Sequence, residues 1–396
     1  MESSGEIHVE QWRTLWSDTY GRSVAAGRTG GTDEPDLNLA GWTSSYTGRP
    51  IAEREMREWI DRTVERIRAL RPRRLLEVGC GMGLLLTRLA PACEECWGID
   101  FSPEAVAELE RTFAGRDSAV TVRQQAADDL EGLPRGRFDT VILNSVVQYF
   151  PDLSYLRWVL AGISALAAPG ARIFLGDLRS LPLLTTFHLS ILLQQAEATT
   201  PLAEIRDQVA SRVLRERELA LDPAFFTGML GGGGVADVAD VADVADIAKI
   251  DIQLKRGRAR NELTRFRYDV TLTLAGGAAE RGNCGEPERW LDWRAEGLSL
   301  AALRFLLAGD GAPRSLGLRG VPNARLAAEV EAESLLHGGD PGLTTVADLK
   351  ETLRNRCPLP GIEPEELWAL GRDLPYRVGV HWGEIPGTVD VVLLSL

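Results

Sequence analysis

Leu75-Leu-Glu77-Val-Gly79-Cys80-Gly81-Met-Gly83 is a short apolar run broken by one acid, followed by glycine at every second position. Such a run suits a parallel strand buried on both faces, and the glycines allow a tight turn and close ligand approach at its carboxyl end. The dinucleotide pattern G-x-G-x-x-G would want a glycine at 84, where Leu84 stands, so dependable phosphate machinery is missing.

Working outward, the segments 96–100, 120–125, 138–146 and 171–177 are further apolar runs of strand length. Helical stretches at 102–113 and 153–167 alternate with them, the pattern of a parallel sheet. Upstream, 52–70 places Met56, Trp59, Ile60, Val64, Ile67 and Leu70 on one helical face before Pro72, an amphipathic helix that covers the sheet. Trp12, Trp16 and Tyr20 recur every four residues and read as a packing stripe. Beyond Asp177 come a long helical region and two strand candidates, 247–256 and 265–275, whose short connection favours an antiparallel pair. The expected fold is α/β: a doubly wound, Rossmann-like, mostly parallel seven-stranded sheet with an antiparallel last strand, a helical insertion and a C-terminal lobe. The expected division is an N-terminal helical cap over 1–71, a core over 72–280 with a helical lid at about 178–246, and an α/β extension over 281–396. In that extension 287–309, 324–338 and 345–356 read as helices and 389–396 as a strand. Four glycines at 231–234 and the Val-Ala-Asp repeats that follow to Asp246 read as a linker with solvated charge.

The charge balance narrows the partners. Asp and Glu outnumber Lys and Arg by 57 to 44, a net charge of −13 that repels phosphate backbones and anionic membranes. Neither nucleic acid nor a membrane is therefore expected as a partner. With no apolar run of spanning length and no signal-like start, the expected location is the cytoplasm. Five cysteines make no disulfide framework, and Cys93-Glu-Glu-Cys96 lacks a second pair at zinc spacing, so packed thiols and no metal are expected.

Asp100 closes the second strand, where a carboxylate accepts both hydroxyls of a ribose. Asp128 follows the third strand, placed for an adenine amino group, and Asn144 ends the fourth. One ligand explains a glycine turn and these two acids: a nucleoside with an amino-acid tail.

Glu77-x-Gly79-x-Gly81-x-Gly83, Asp100, Ala127-Asp128-Asp129-Leu130 and Phe138-Asp-Thr-Val-Ile-Leu-Asn144 resemble, in order and spacing, the motifs of class I S-adenosylmethionine-dependent methyltransferases. The resemblance implies S-adenosyl-L-methionine as cofactor. Gly79, Cys80, Gly81 and Gly83 would pass its methionine and ribose portion, Asp100 with Phe101 would bind the ribose side, and Ala127, Asp128 and Asn144 would frame the remainder. Glu77 would steady the loop and meet the amino group, while the Tyr46 ring closes over the sulfonium or merely anchors its loop.

Trp42-Thr-Ser-Ser-Tyr46, Asn144-Ser-Val-Val-Gln-Tyr-Phe-Pro151, Gly176-Asp-Leu-Arg-Ser180, 256–269, 361–368 and 375–382 look like the methyltransferase domains embedded in nonribosomal peptide synthetases. That resemblance implies methylation of an amine or hydroxyl on an aminoacyl or peptidyl intermediate held by a carrier protein, here supplied in trans. Gln148, Arg179, Asn261 and Glu262 are the acceptor-side candidates, Asn261 and Glu262 lying in the turn between the last two strands and either reaching the acceptor or capping that turn. His188, Tyr149 and Asp177 are the catalytic candidates, His188 as base because imidazole titrates near working pH, although a histidine on an otherwise apolar helix is more often a satisfied core residue. The rival readings are a methyltransferase of a free small molecule, with the C-terminal lobe as lid or homodimer surface, and a non-catalytic docking partner of an assembly line.

Overall fold

The computed structural model describes residues 4–25, 37–115, 119–230, 247–276, 287–309, 311–356 and 361–396. Helices α1 (Ser4–Ala25) and α2 (Glu53–Ala69) precede β1 (Arg74–Val78), α3 (Leu86–Leu89), β2 (Glu95–Asp100), α4 (Pro103–Phe113) and β3 (Val120–Gln124). Then come β4 (Phe138–Asn144), α5 (Leu153–Leu166), β5 (Ala167–Ser180), α6 (Leu184–Gln195), α7 (Leu202–Leu214), the two-residue β6 (Ala220–Leu221) and α8 (Pro223–Thr227). Strands β7 (Ile247–Leu254) and β8 (Arg267–Leu274), joined through α9 (Glu262–Phe266), complete the large sheet. The glycine run and Val-Ala-Asp repeats at 231–246 lie outside the described residues.

The order of the large sheet is β3-β2-β1-β4-β5-β8-β7, with β6 added beside β5. All neighbours pair in parallel except at β8, which runs antiparallel to both β5 and β7. The chain leaves β1 toward β2 and β3 on one side and returns to β4 on the other, which opens a crevice at the carboxyl ends of β1 and β4.

Alternate side chains of the central strands enter different cores. Leu75 and Ile142 pack with Met56, Trp59, Ile60, Val64 and Ile67 of α2, whereas Leu76, Val141 and Leu143 pack with Leu156, Val159, Leu160 and Ile163 of α5. This period of two is why β1 and β4 are apolar throughout. Each fully buried α2 side chain contributes about 1.5–3 kcal/mol of burial energy, enough to fix the helix over the sheet.

The C-terminal part is richer in strands than its sequence suggests. A second sheet has the order β11-β12-β10-β9, built from β9 (Trp290–Asp292), β10 (Ser315–Pro322), β11 (Tyr376–Trp382) and β12 (Thr388–Ser395). The stretch read as one helix from 287 divides: after β9 the Asp292 carboxylate accepts from the Arg294 and Ala295 amides at 3.0 and 2.7 Å and makes a turn. Helix α10 (Leu300–Ala308) begins only at its Ser299 cap. Helices α11 (Ala327–His337), α12 (Val346–Arg356) and α13 (Pro364–Asp373) flank this sheet or the lid.

One buried side chain ties this lobe to the site. Arg325 donates to the carbonyls of Lys255 (2.8 Å), Thr264 (3.2 Å) and Gly257, and to Glu363 at 2.5 Å. It thereby fixes the turn between β7 and β8, which carries Glu262. Asn261 caps α9, accepting from the amides of Leu263 and Thr264 at 3.0 and 3.3 Å, and donates to Glu55 at 2.8 Å. Of its two expected roles, acceptor contact or cap of the turn, the cap is the one its hydrogen bonds make.

Candidate active site

A cavity of about 230 Å³ occupies the crevice at the carboxyl ends of β1 and β4. Gly79, Cys80 and Gly81 form one wall, Asp100 and Phe101 the end of β2, and Gln125, Ala126 and Ala127 the segment after β3. Asn144, Ser145, Gln148 and Tyr149 supply the β4 side. The positive φ of Gly79 (71°) and the collision a methyl group there would make with Val146 explain why this position is glycine.

Asp100 is buried, and its two oxygens accept from the Gly81 amide at 2.8 Å and the Ser102 amide at 2.9 Å. Burial pushes its pKa up to about 6 against the pull of these amides. Glu77 is also buried, and its Oε2 has no hydrogen-bond partner among the described residues. Burial and the Asp100 charge push the Glu77 carboxyl up to about 8.

The roof comes from α1. Trp12, Trp16 and Tyr20 line the cavity and stack against its far side, Trp12 and Trp16 having ring centroids 4.5 and 5.6 Å from Tyr149. The Tyr20 hydroxyl lies 2.8 Å from where a Gly81 methyl would be. The four-residue spacing that reads as packing is therefore packing on the ligand cavity.

Two charged residues without a place in the sequence reading also line it. Arg267, at the start of β8, donates to Asp177 at 2.6 Å, and Glu218, in the lid, accepts from Arg179 at 2.9 Å. Glu262 lines the wall too, accepting from the Ser45 amide at 2.8 Å and the Ser44 hydroxyl at 3.2 Å.

Residues 76–173 match the family model described as a methyltransferase domain. The chain carries a methyltransferase domain. It is 39% identical over 401 residues to chondramide synthase of Chondromyces crocatus, spanning 99% of this chain and 10% of that protein. It is 36% identical over 387 residues to CymA of Salinispora arenicola, named as a nonribosomal peptide synthetase, spanning 95% of this chain and 4% of that one. The chain thus spans a tenth or less of these two relatives. Among solved structures, magnesium protoporphyrin IX methyltransferase from Synechocystis matches with a TM-score of 0.42 and 17% identity, over 68% of this chain and all of that one.

The methyltransferase cavity fits S-adenosylmethionine. Asp100 offers a carboxylate for ribose hydroxyls, the unpartnered Glu77 oxygen suits a cationic amino group, and the aromatic roof suits an adenine and a sulfonium. Several expected residues stand behind the wall. Gly83 packs against Leu109, and Asp128 lies beside Tyr155, whose ring reaches the cavity. The Tyr46 hydroxyl, 2.8 Å from Ser190 and 3.3 Å from an Arg265 donor, anchors its loop to the lid. His188 is off the wall: its Nε2 lies 3.1 Å from Glu216, which Arg179 also pairs at 3.1 Å. A base there does not touch an acceptor in the cavity. Asp177 and Arg179 act from behind, holding Arg267 and Glu218.

The Glu77 shift yields a measurable pH dependence. A cationic ligand needs the ionised carboxylate, so S-adenosylmethionine affinity measured by calorimetry should rise at least about tenfold from pH 6 to 8, with proton release on binding. In Glu77→Gln the slope should vanish; a wild-type Kd flat over that range contradicts the assignment. Without ligand the sign reverses. The carboxyl rises from an ordinary 4.5 to about 8 on folding, so its stabilising contribution is full below 4.5 and lost as pH passes 8.

Proposed function

We propose that the chain methylates the amine of an aminoacyl or peptidyl intermediate in assembly of nonribosomal-peptide type, the intermediate being tethered to a carrier protein. The observation that carries this reading is the charge of the wall beyond the cofactor residues: Glu218 and Glu262 line the cavity with Arg267 as the cation among its described lining residues. A hydroxyl or carbon acceptor brings no charge for such a wall to select, whereas an amine arrives as an ammonium. The likeness to CymA, named as a nonribosomal peptide synthetase, supports the same class of intermediate.

S-adenosylmethionine, when bound, supplies an electrophilic methyl group. The chain's task is then alignment and exclusion of water. Trp12 and Trp16 close the cavity over Tyr149. The acceptor nitrogen must present a lone pair, and an α-ammonium with an ordinary pKa of about 8 releases its proton readily at neutral pH. A wall carboxylate need only orient the amine. Burial raises the Tyr149 phenol well above its ordinary value, so it stays protonated there.

Intact-mass measurement of an aminoacyl-loaded carrier protein, incubated with the chain and S-adenosylmethionine, should show a gain of one methylene. Methylation of free small molecules with none on loaded carrier would favour the free-substrate rival. Cofactor binding without transfer to any acceptor would favour the docking-partner rival.

A further inference from the structure

Arg267 and Glu218 both line the cavity, yet neither pairs with the other. Among the described residues Arg267 makes its ion pair with Asp177 and Glu218 makes its own with Arg179. Each charge is pinned from behind, so the two cannot collapse together. Asp177 is fully buried, and besides Arg267 it accepts from Ser145 at 2.9 Å and Trp59 at 3.1 Å. Arg179 is clamped between Glu218 and Glu216 and lies over the Phe187 ring at 4.8 Å. The segment carrying Glu218 is tied to the β4 side as well, the Leu219 amide donating to the Gln148 carbonyl at 2.7 Å. Tyr149 lies within the field of both charges, Glu218 raising its pKa and Arg267 lowering it, after burial. The result is a positive group and a negative group, each held by its own partner, lining one cavity.

We infer that Glu218 and Arg267 are the residues that recognise the acceptor's α-amino acyl group, Glu218 taking its amine and Arg267 its carbonyl oxygen. A guanidinium holds five donors, one of which is spent on Asp177, so donors remain for an acyl oxygen. A carboxylate beside an amine both attracts the ammonium and fixes the direction of its lone pair once the proton has left. Amines without an adjacent carbonyl satisfy one end only. This inference rests on the amine-acceptor reading above and adds the position of the amine and the two residues that recognise it. The same chemistry comes from a thioester or from a free amino acid, and the carbonyl end differs between them: neutral in the first, a carboxylate in the second.

The test compares three acceptors: an aminoacyl thioester of N-acetylcysteamine, the matching free amino acid, and the matching alkylamine that lacks the acyl group. Wild type should turn over the thioester with a KM at least about tenfold below that for the alkylamine, the value expected from one charge-assisted hydrogen bond. Arg267→Met should erase that preference, and Glu218→Gln should raise the thioester KM about tenfold or more, both with calorimetric S-adenosylmethionine affinity retained. Because Arg267→Met strands a buried Asp177, melting curves accompany it, and the less buried Glu218→Gln stands as the second variant. A preference for the free amino acid assigns the carboxylate source instead of the thioester. Wild-type KM values in folded variants, or equal use of the alkylamine by wild type, overturn the inference while leaving the amine reading intact. Failure of wild type on every amine overturns both.

Discussion

Asp100→Ala is expected to weaken S-adenosylmethionine binding by about 100-fold in calorimetry, while the melting temperature of the ligand-free chain falls little. The carboxylate does two jobs. It receives the Gly81 amide at 2.8 Å, which sets the glycine turn, and it is the buried acceptor available at the end of β2 for two ribose hydroxyls. Hydrogen bonds to charged groups contribute about 1.5–3 kcal/mol each, so losing two costs about 3 kcal/mol or more, and 1.4 kcal/mol is tenfold. Stability should respond weakly, because a carboxyl pushed up to about 6 is already disfavoured as an ion in the empty cavity. Asp100→Asn separates the two jobs: it keeps an acceptor for the Gly81 amide and loses the charge. Its affinity should fall between wild type and Asp100→Ala. Unaltered affinity in Asp100→Ala would remove the ribose assignment, and an unfolded variant would assign Asp100 to the fold.

The parts of the molecule legible in the sequence are those governed by local periodicity. Strands β1, β2, β4 and β5 announce themselves by apolar runs, and α2 by a face that returns every three or four residues, because each buries most of its apolar side chains. The glycine turn and Asp100 were legible for the same reason: they sit at the ends of those strands. The acceptor side was not. Glu218 follows α7 in a polar stretch, Arg215-Glu-Arg-Glu218, and nothing local distinguishes the carboxylate that turns inward from its solvated neighbours. Arg267 left a usable signal, since an arginine and an aspartate two apart in Arg267-Tyr-Asp269 lie on one face of a strand with buried neighbours. Buried like this they need partners, and Asp177 and Lys255 supply them from elements far apart in the chain. His188 illustrates the same limit: a histidine on an apolar helix is more often a packed residue than a base, and only Glu216, 28 positions on, shows what it pairs with. Trp12, Trp16 and Tyr20 have a periodicity that reports a face without saying what it covers.

Asp177→Asn is expected to destabilise the chain by about 3–5 kcal/mol, the cost of removing one partner from a buried ion network. Asp177 has a φ of 65°, a left-handed backbone that Asn tolerates as well as Asp, so the substitution alters the charge and little else. The charge sits at the centre of a largely buried cluster. Asp177 pairs with Arg267 at 2.6 Å and Lys255 at 3.7 Å; Asp269 pairs with Lys255 at 3.0 Å and Arg66 at 2.5 Å. Three cations face two anions, and Asn would leave one anion among them. Burial alone would raise the Asp177 pKa, but Arg267 and Lys255, with Trp59 and Ser145, hold it below the ordinary 3.8. Its stabilising contribution is therefore present above pH 3.8 and lost only as pH falls through the lower folded value, so the loss in Asp177→Asn should be full at neutral pH. A shift of that size is a large fraction of the 5–15 kcal/mol that usually separates folded from unfolded. Adding Arg267→Met should return part of it, because the excess cation goes with the lost anion, and the double-mutant cycle should give a coupling of about 1–3 kcal/mol. Urea denaturation of the four proteins measures this directly. Additive losses, or an Asp177→Asn midpoint equal to that of wild type, would mean that the cluster is solvated in solution and that Arg267 is not held in place by Asp177.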